Sequence, residues 1–273
     1  MNQPVQIRIG HSPDPDDAFM FYGFASGQVQ IPGAEIVHVL HDIQTLNEMA
    51  AGPDPLEVTA MSLHAFLDLE DRYAFLEVGT SVGRGYGPRL VTTSPKNLED
   101  LREARIALPG PKTTATMIAR KLLPPFEETH YDFADIMRAV CDGEVDAGLI
   151  IHEGQLTYAD HGLHLVADLG DLFAKRHHGL PLPLGVNCVR RDIDEPTKRA
   201  IAPAYRESVE IAMSQREAAV EYSLPFGRGL DRDLADRFVG MYVNEDSLSF
   251  HEELRRAVDI IRAEYYVASA AAA

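Results

Sequence analysis

Short apolar runs alternate with helical patterns along the first 190 residues of this chain. Residues 5–9, 34–40, 56–60, 74–78, 89–93, 104–108, 148–151, 163–169 and 185–190 read as strands, being rich in β-branched and other apolar side chains and bounded by turn residues. The helical stripes between them are legible. Phe133, Ile136, Met137 and Val140 recur at helical spacing and stop at Gly143, and Asn97 with Asp100 forms a capping-box start for residues 98–103. This rhythm predicts an α/β fold with a mainly parallel, helix-covered sheet. After about residue 192 only helices are predicted, over 196–214, 231–242 and 251–267.

A helical end suits a chain that visits a second domain and then returns to wrap the first. The expected division is a larger, discontinuous α/β domain of residues 1–94 plus 181–273, and a smaller inserted α/β domain of residues 95–180. Two crossing strands, near residues 93–95 and 179–183, would then border a central cleft.

Composition narrows the classes. A formal net charge of −17 without any basic tract argues against nucleic acid or an anionic membrane surface as partner. It leaves a small anionic organic substrate open, because arginine and backbone amides can dominate locally. Cys141 and Cys188 show no metal-ligand spacing and are expected as small buried hydrophobes in a reducing compartment. The first four residues run straight into a strand, and no apolar stretch approaches the roughly 20 residues that span a bilayer. The expectation is a cytoplasmic monomer or homodimer with a frayed alanine-rich end at residues 270–273.

Candidate chemistry gathers where predicted strands end. Residues 143–153 read GEVDAGLIIHE, a wholly apolar strand followed at once by His152 and Glu153. In parallel sheets ligands collect beyond the carboxyl ends of strands, so His152 is the leading catalytic candidate. An imidazole that is neutral near pH 7 suits proton abstraction, a contribution of about 10² to 10⁴ in rate. The ordinary alternative is a structural histidine at a strand end.

Three strand-to-helix junctions share another design: His11-Ser12-Pro13-Asp14, Ala60-Met61-Ser62, and Pro111-Lys112-Thr113-Thr114-Ala115. Each puts small or hydroxyl residues before a helix, whose first amides favour a carboxylate. Capping of their own helices is the bland account of Ser12, Ser62 and Thr113 or Thr114. Asp14, Asp16 and Asp17 lack the glycine and distal glutamate of a calcium loop, so no metal is expected. PGPKTT lacks the Walker glycines, Ser62 and His64 diverge on a starting helix, and His177 and His178 are expected at the surface. GRGYGP, residues 83–88, suits a tight loop with close backbone approach.

The segments SPDPDDAFMFYG, HDIQTLNEMA, VTAMSLHAF, GRGYGP, PGPKTTATM, GEVDAGLIIHEGQLTY and GLPLPLG, in this order, resemble the 1,4-dihydroxy-6-naphthoate synthases of the futalosine route to menaquinone. The resemblance covers about residues 6–190. It implies a periplasmic-binding-protein-like fold of type II, with two α/β domains around a cleft. It also implies carbon–carbon lyase chemistry on cyclic dehypoxanthine futalosine, without metal or organic cofactor. The histidine of IIHE, here His152, would be the general base, and Ala60, Met61, Ser62, Thr114 and Ala115 would contact substrate, with Ser12 nearby. Two departures stand out. The family commonly reads SPCPND where this chain has SPDPDD, and commonly carries a lysine where this chain has Ala60; Lys112 and Arg84 are the cations available to compensate. Chorismate dehydratase, and a non-catalytic solute-binding protein for small acids, are the alternative readings.

Overall fold

The computed structural model describes residues 5–227 and 229–268, so the alanine-rich end at 270–273 lies outside the described residues. The chain opens with β1 (Val5–His11), α1 (Pro15–Met20), α2 (Tyr22–Ala25), β2 (Ala34–Leu40), α3 (Ile43–Ala51), β3 (Val58–Ser62), α4 (Leu63–Asp68), β4 (Tyr73–Phe75) and β5 (Ser81–Gly83). It continues through β6 (Arg89–Thr92), β7 (Arg105–Leu108), α5 (Thr114–Leu122), β8 (Glu127–His130), α6 (Ile136–Cys141), β9 (Ala147–Ile150) and α7 (Gly154–Thr157). Then come β10 (His164–Asp168), α8 (Leu169–Arg176), β11 (Leu182–Arg190), α9 (Glu195–Ser214), α10 (Arg216–Ser223), α11 (Arg232–Tyr242), α12 (Glu245–Leu248) and α13 (Glu252–Ile260), which runs into a π-turn over Ile261–Tyr265.

Two compact units result. One runs through Ser81 and again from Gly185 to His251; the other runs from Val82 to Leu184 and again from Glu252 onward. In the first unit the strand order is β2-β1-β3-β11-β4. β1 pairs in parallel with β2 and β3, whereas β11 runs antiparallel to β3 and β4. One cluster, with Ile7, Ile9, Phe19, Phe21, Val58, Tyr205, Val209 and Val239, joins these strands to α1, α9 and α11. A second cluster packs Leu46 of α3 against Leu56 and Ala60.

The second unit has the order β10-β6-β9-β7-β8. β7 is parallel to β8 and β9, while β6 is antiparallel to β9 and β10. Ile136, Ala139 and Val140 of α6 pack on Val91, Ala107 and Ile150. Both sheets are therefore mixed rather than mainly parallel, because the strands that bring the chain back across each sheet run against the rest.

Several expectations change. β6 groups with the second unit because its ladders are with β9 and β10, and α13 groups there as well, its π-turn placing Tyr265 against Phe173 of α8. The chain thus passes between units three times, not twice, and the expected boundaries of 1–94 plus 181–273 against 95–180 shift accordingly. Cys188 is buried, but Cys141 is exposed at the end of the short α6. His177 is buried, with Nε2 at 2.7 Å from the Tyr265 hydroxyl, so only His178 lies at the surface.

The GRGYGP loop shows why glycine is needed there. The Tyr86 carbonyl presses against both Gly83 and Gly170: a Cβ added at Gly170 would meet that oxygen at 2.0 Å and its carbon at 2.1 Å, and one at Gly83 would meet the oxygen at 1.9 Å. Backbone cannot yield as a side-chain tip does. Gly170→Ala is expected to cost about 1–3 kcal/mol of stability through overpacking. Urea unfolding of the variant measures this, and an unchanged midpoint would refute the close-approach account.

Candidate active site

The first junction of the first unit is occupied by its own acids. β1 ends at His11, and the backbone amide of Ser12 donates to Asp17 Oδ2 at 2.9 Å. The Ser12 hydroxyl lies 2.6 Å from Asp14 Oδ2 and 2.8 Å from Asp17 Oδ2. Asp14, Asp16 and Asp17 are all buried. Burial first, and then Asp17 and Asp14, push the Asp16 carboxyl well above the usual carboxylate range; one of its oxygens has no hydrogen-bond partner. Ser12 was expected to greet a substrate anion. Its amide and hydroxyl instead serve carboxyls of its own turn, and three buried acids disfavour a further negative group.

Beside this turn, the His11 ring stacks on Phe21 with centroids 4.0 Å apart, and its Nε2 lies 3.3 Å from Nδ1 of His38. Burial, then the nearby His38, pushes His11 down to about 3.

The second junction is built differently. Ser62 ends β3 and opens α4, yet its side chain makes no capping bond. Asn47 of α3 holds it from both sides: Asn47 Oδ1 accepts from the Ser62 amide at 2.9 Å, and Nδ2 donates to the Ser62 hydroxyl oxygen at 3.1 Å. That oxygen accepts here, so its hydrogen is left to donate elsewhere. Ala60 and Met61 lie within β3, opposite Asn187 and Val186 of β11. Both side chains are buried, which leaves their backbone as the polar surface they offer.

In the second unit, Thr113 caps α5, accepting from the Thr116 amide at 3.2 Å and donating to the Gly110 carbonyl at 2.9 Å. The capping account therefore holds for Thr113. The Thr114 hydroxyl donates instead to the Leu184 carbonyl at 2.6 Å. Thr114 and Ala115 form the first turn of α5, whose amides have no acceptor inside the helix.

His152 follows β9, of which every residue is buried. Its backbone is left-handed, φ 55°, unusual for a residue with a Cβ. Gly154 starts α7 with its Cα against Ile150; a Cβ there would meet Ile150 Cγ2 at 2.6 Å. The chain reverses at the strand end, the Gln155 amide donates to the His152 carbonyl at 3.1 Å, and half-buried His152 sits beside buried Glu153. Phe133 meets the imidazole edge to face, with ring centroids 4.7 Å apart.

The structure thus places Ala60, Met61 and Ser62 on β3 in one unit, with Asn47 bound to Ser62, and carries Thr114, Ala115 and His152 in the other. Asn47 and Phe133 are the contacts that sequence reasoning missed. In the sequence Phe133 belongs only to a helix stripe; Asn47 lies in a segment that carries the resemblance, but its partner is set by tertiary packing. Of the two cations considered as compensation for Ala60, Arg84 pairs with Glu253 at 3.0 Å. Among the described residues no group of three or more His, Cys, Asp or Glu could hold a metal ion, and no helix is long and apolar enough to cross a membrane.

A family model described as menaquinone biosynthesis matches residues 7–266. The chain is 39% identical over 258 residues to a 1,4-dihydroxy-6-naphthoate synthase of Thermus thermophilus, covering 94% of this chain and 93% of that protein. A protein of the same name from Streptomyces coelicolor is 36% identical over 254 residues, covering 90% and 88%. Among solved structures, protein AF1704 from Archaeoglobus fulgidus superposes with a TM-score of 0.90 at 44% identity, covering 95% of this chain and 96% of that one. The Candida albicans CA3427 gene product, described as having the generic periplasmic-binding-protein fold, superposes with a TM-score of 0.67 at 12% identity, covering 98% and 92%; that likeness shows the fold alone.

Two outcomes test the local geometry. Asn47→Ala strands the buried Ser62 amide and is expected to cost about 1–3 kcal/mol, read from the urea midpoint; a neutral variant would refute the clamp. His11 stays neutral in the folded chain down to about pH 3, whereas the unfolded chain protonates it near 6.5. The unfolded state therefore holds the extra proton between those values, and stability falls as pH falls through that window by up to about 1.4 kcal/mol per unit. Asp16, raised in the fold, acts with the opposite sign, losing stability as pH rises. His11→Asn should flatten the acid side of the stability–pH curve; an unaltered slope would count against His11 as its source.

Proposed function

The chain belongs to the menaquinone biosynthesis family, and we propose that it acts there as a lyase of the 1,4-dihydroxy-6-naphthoate synthase type, with His152 as general base. Its substrate is cyclic dehypoxanthine futalosine, the small organic acid that the sequence resemblance implies. The observation that carries the base assignment is the left-handed turn at His152, at the end of a fully buried strand, with Phe133 against the imidazole and Glu153 next in the chain. A side chain held this way loses little freedom when a reaction needs it, which favours proton transfer from a fixed carbon.

The remaining contacts divide by chemistry. For a carboxylate or hydroxyl of the substrate each unit offers neutral donors of its own: the first unit the Ser62 hydroxyl steadied by Asn47, the second the first-turn amides of α5 at Thr114 and Ala115. Ala60 and Met61 contribute backbone, their side chains being buried. The acid-filled turn at Ser12 is left out of carboxylate binding. His152 removes a proton and starts a retro-aldol-like fragmentation that leaves the aromatic naphthoate, and Glu153 lies where it can tune the imidazole. The expectation of a cytoplasmic location goes with this reading.

Purified protein incubated with cyclic dehypoxanthine futalosine should develop naphthoate absorbance. His152→Ala should abolish turnover while substrate binding, followed by calorimetry, is largely retained. Undiminished activity in that variant removes His152 from the reaction. Tight binding of a small acid by the wild-type protein with no turnover would favour a solute-binding role instead.

A further inference from the structure

The turn that carries His152 is held from a neighbouring strand by one side chain. Arg89, the first residue of β6, pairs across the ladder with Ile150, the last residue of β9. Its guanidinium leaves the ladder and donates from Nη1 to the carbonyl oxygen of Gln155 at 2.5 Å. The Gln155 amide in turn donates to the His152 carbonyl at 3.1 Å. Arg89 Nε lies 3.4 Å from Asp168 Oδ2, and its Cζ lies 5.6 Å from the centroid of the Tyr158 ring. The other Asp168 oxygen accepts from the amides of Gly170 and Asp171 at the start of α8. The Arg89 side chain is 21% exposed and that of Asp168 13%.

A planar cation with a fork of donors can serve a carbonyl, a carboxylate and an aromatic face at once, which the point charge of lysine cannot do. Without such support a left-handed residue bearing a Cβ tends to relax towards ordinary backbone. We propose that Arg89 is a positioning residue for the general base: by locking the Gln155 carbonyl it fixes the reversal after β9 and so the direction of the His152 imidazole. This inference rests on the reading of His152 as the base. Asp168 and Tyr158 lie against the guanidinium, and the tether itself is the bond to Gln155.

The test uses the full chain with Arg89→Gln, Arg89→Lys, Asp168→Asn, His152→Ala and the double variant R89Q/H152A, followed by steady-state kinetics and by amide hydrogen exchange over residues 151–158. Arg89→Gln should lower kcat by about 10²-fold with KM little changed, the scale of a misplaced reacting group. Arg89→Lys should fall between it and wild type, and the Gln155 and Leu156 amides should exchange faster in both. The double variant should be no slower than His152→Ala alone, because Arg89 acts through the histidine. Asp168→Asn weakens the start of α8 but keeps the tether, so its kcat should fall much less.

Wild-type kcat in Arg89→Gln, or a raised KM at constant kcat, overturns the proposal; so does a loss that Asp168→Asn reproduces in full. The two readings fail separately. If His152→Ala stays active while Arg89→Gln still loosens residues 155–156, the base assignment falls and the tether of the turn stands, though not its catalytic purpose. If His152→Ala is inactive while exchange and kcat in Arg89→Gln match wild type, the base stands and the tether falls.

Discussion

A strand covered on both faces has to hand its backbone back to polar surroundings within a residue or two of its end. β9 does so at His152, and Phe133, Gly154, Gln155 and Arg89 are all set against that reversal. All four residues of β9 are buried, so the chain cannot leave by bending gradually over the sheet. It turns through a left-handed residue instead, at a cost on the order of 1–2 kcal/mol. The Gln155 amide on the His152 carbonyl, the Phe133 ring on the imidazole, and Gly154 set against Ile150 all oppose its relaxation. The same reversal brings an imidazole and a carboxylate to the strand end as neighbours. Packing thus dictates where the first polar side chains appear, before chemistry makes any demand on them.

Three junctions of similar sequence reach three different ends. Ser12 is taken up by acids of its own turn, Thr113 by its own helix, and Ser62 by Asn47 from a helix 15 residues earlier. Short polar residues before a helix announce a place where amides need acceptors; they do not say which acceptor wins. At Ser12 the winner is written locally, in the spacing of Asp14 and Asp17. At Ser62 it is decided only when α3 packs beside β3, and nothing in the local pattern around residue 62 reports that.

The same distinction explains what the hydrophobic pattern conveyed. Strands inside a sheet are legible because both faces are apolar, as in β7 and β9, whose bounds agree with the expected runs to within a residue. β8, reading Glu-Glu-Thr-His, was missed because it lies at the sheet edge and is mostly exposed, so burial placed no apolar demand on it. β5 is too short for any periodicity. The affiliation of α13 was also hidden. Its apolar stripe, Leu254, Ala257, Ile261 and Tyr265, was visible in part, but a stripe states that a helix is covered and not by what; Tyr265 found Phe173 and His177 in the second unit. Burial of His177 follows from that docking.

Ala60 shows how a missing charge can be a matter of packing. A lysine there would be a natural partner for a substrate carboxylate, yet the Ala60 methyl belongs to an apolar cluster with Leu46 and Leu56, flanked by Val39, Ile43 and Met49. A cationic side chain rooted at that position would have to cross apolar surroundings to reach solvent, and a buried ammonium without a partner is costly. The Ser12 turn adds to the same tendency, since its amide and hydroxyl already serve Asp14 and Asp17 and are not left for an outside anion. On the proposed reading, recognition of an acidic ligand falls to neutral donors, hydroxyl and amide, whose strength depends on fixed direction more than on charge. That places a premium on the groups that hold donors still. Asn47 does this for Ser62 in the first unit, from within a segment that carries the family resemblance, as Arg89 does for the His152 turn in the second, from the residue just after the GRGYGP loop.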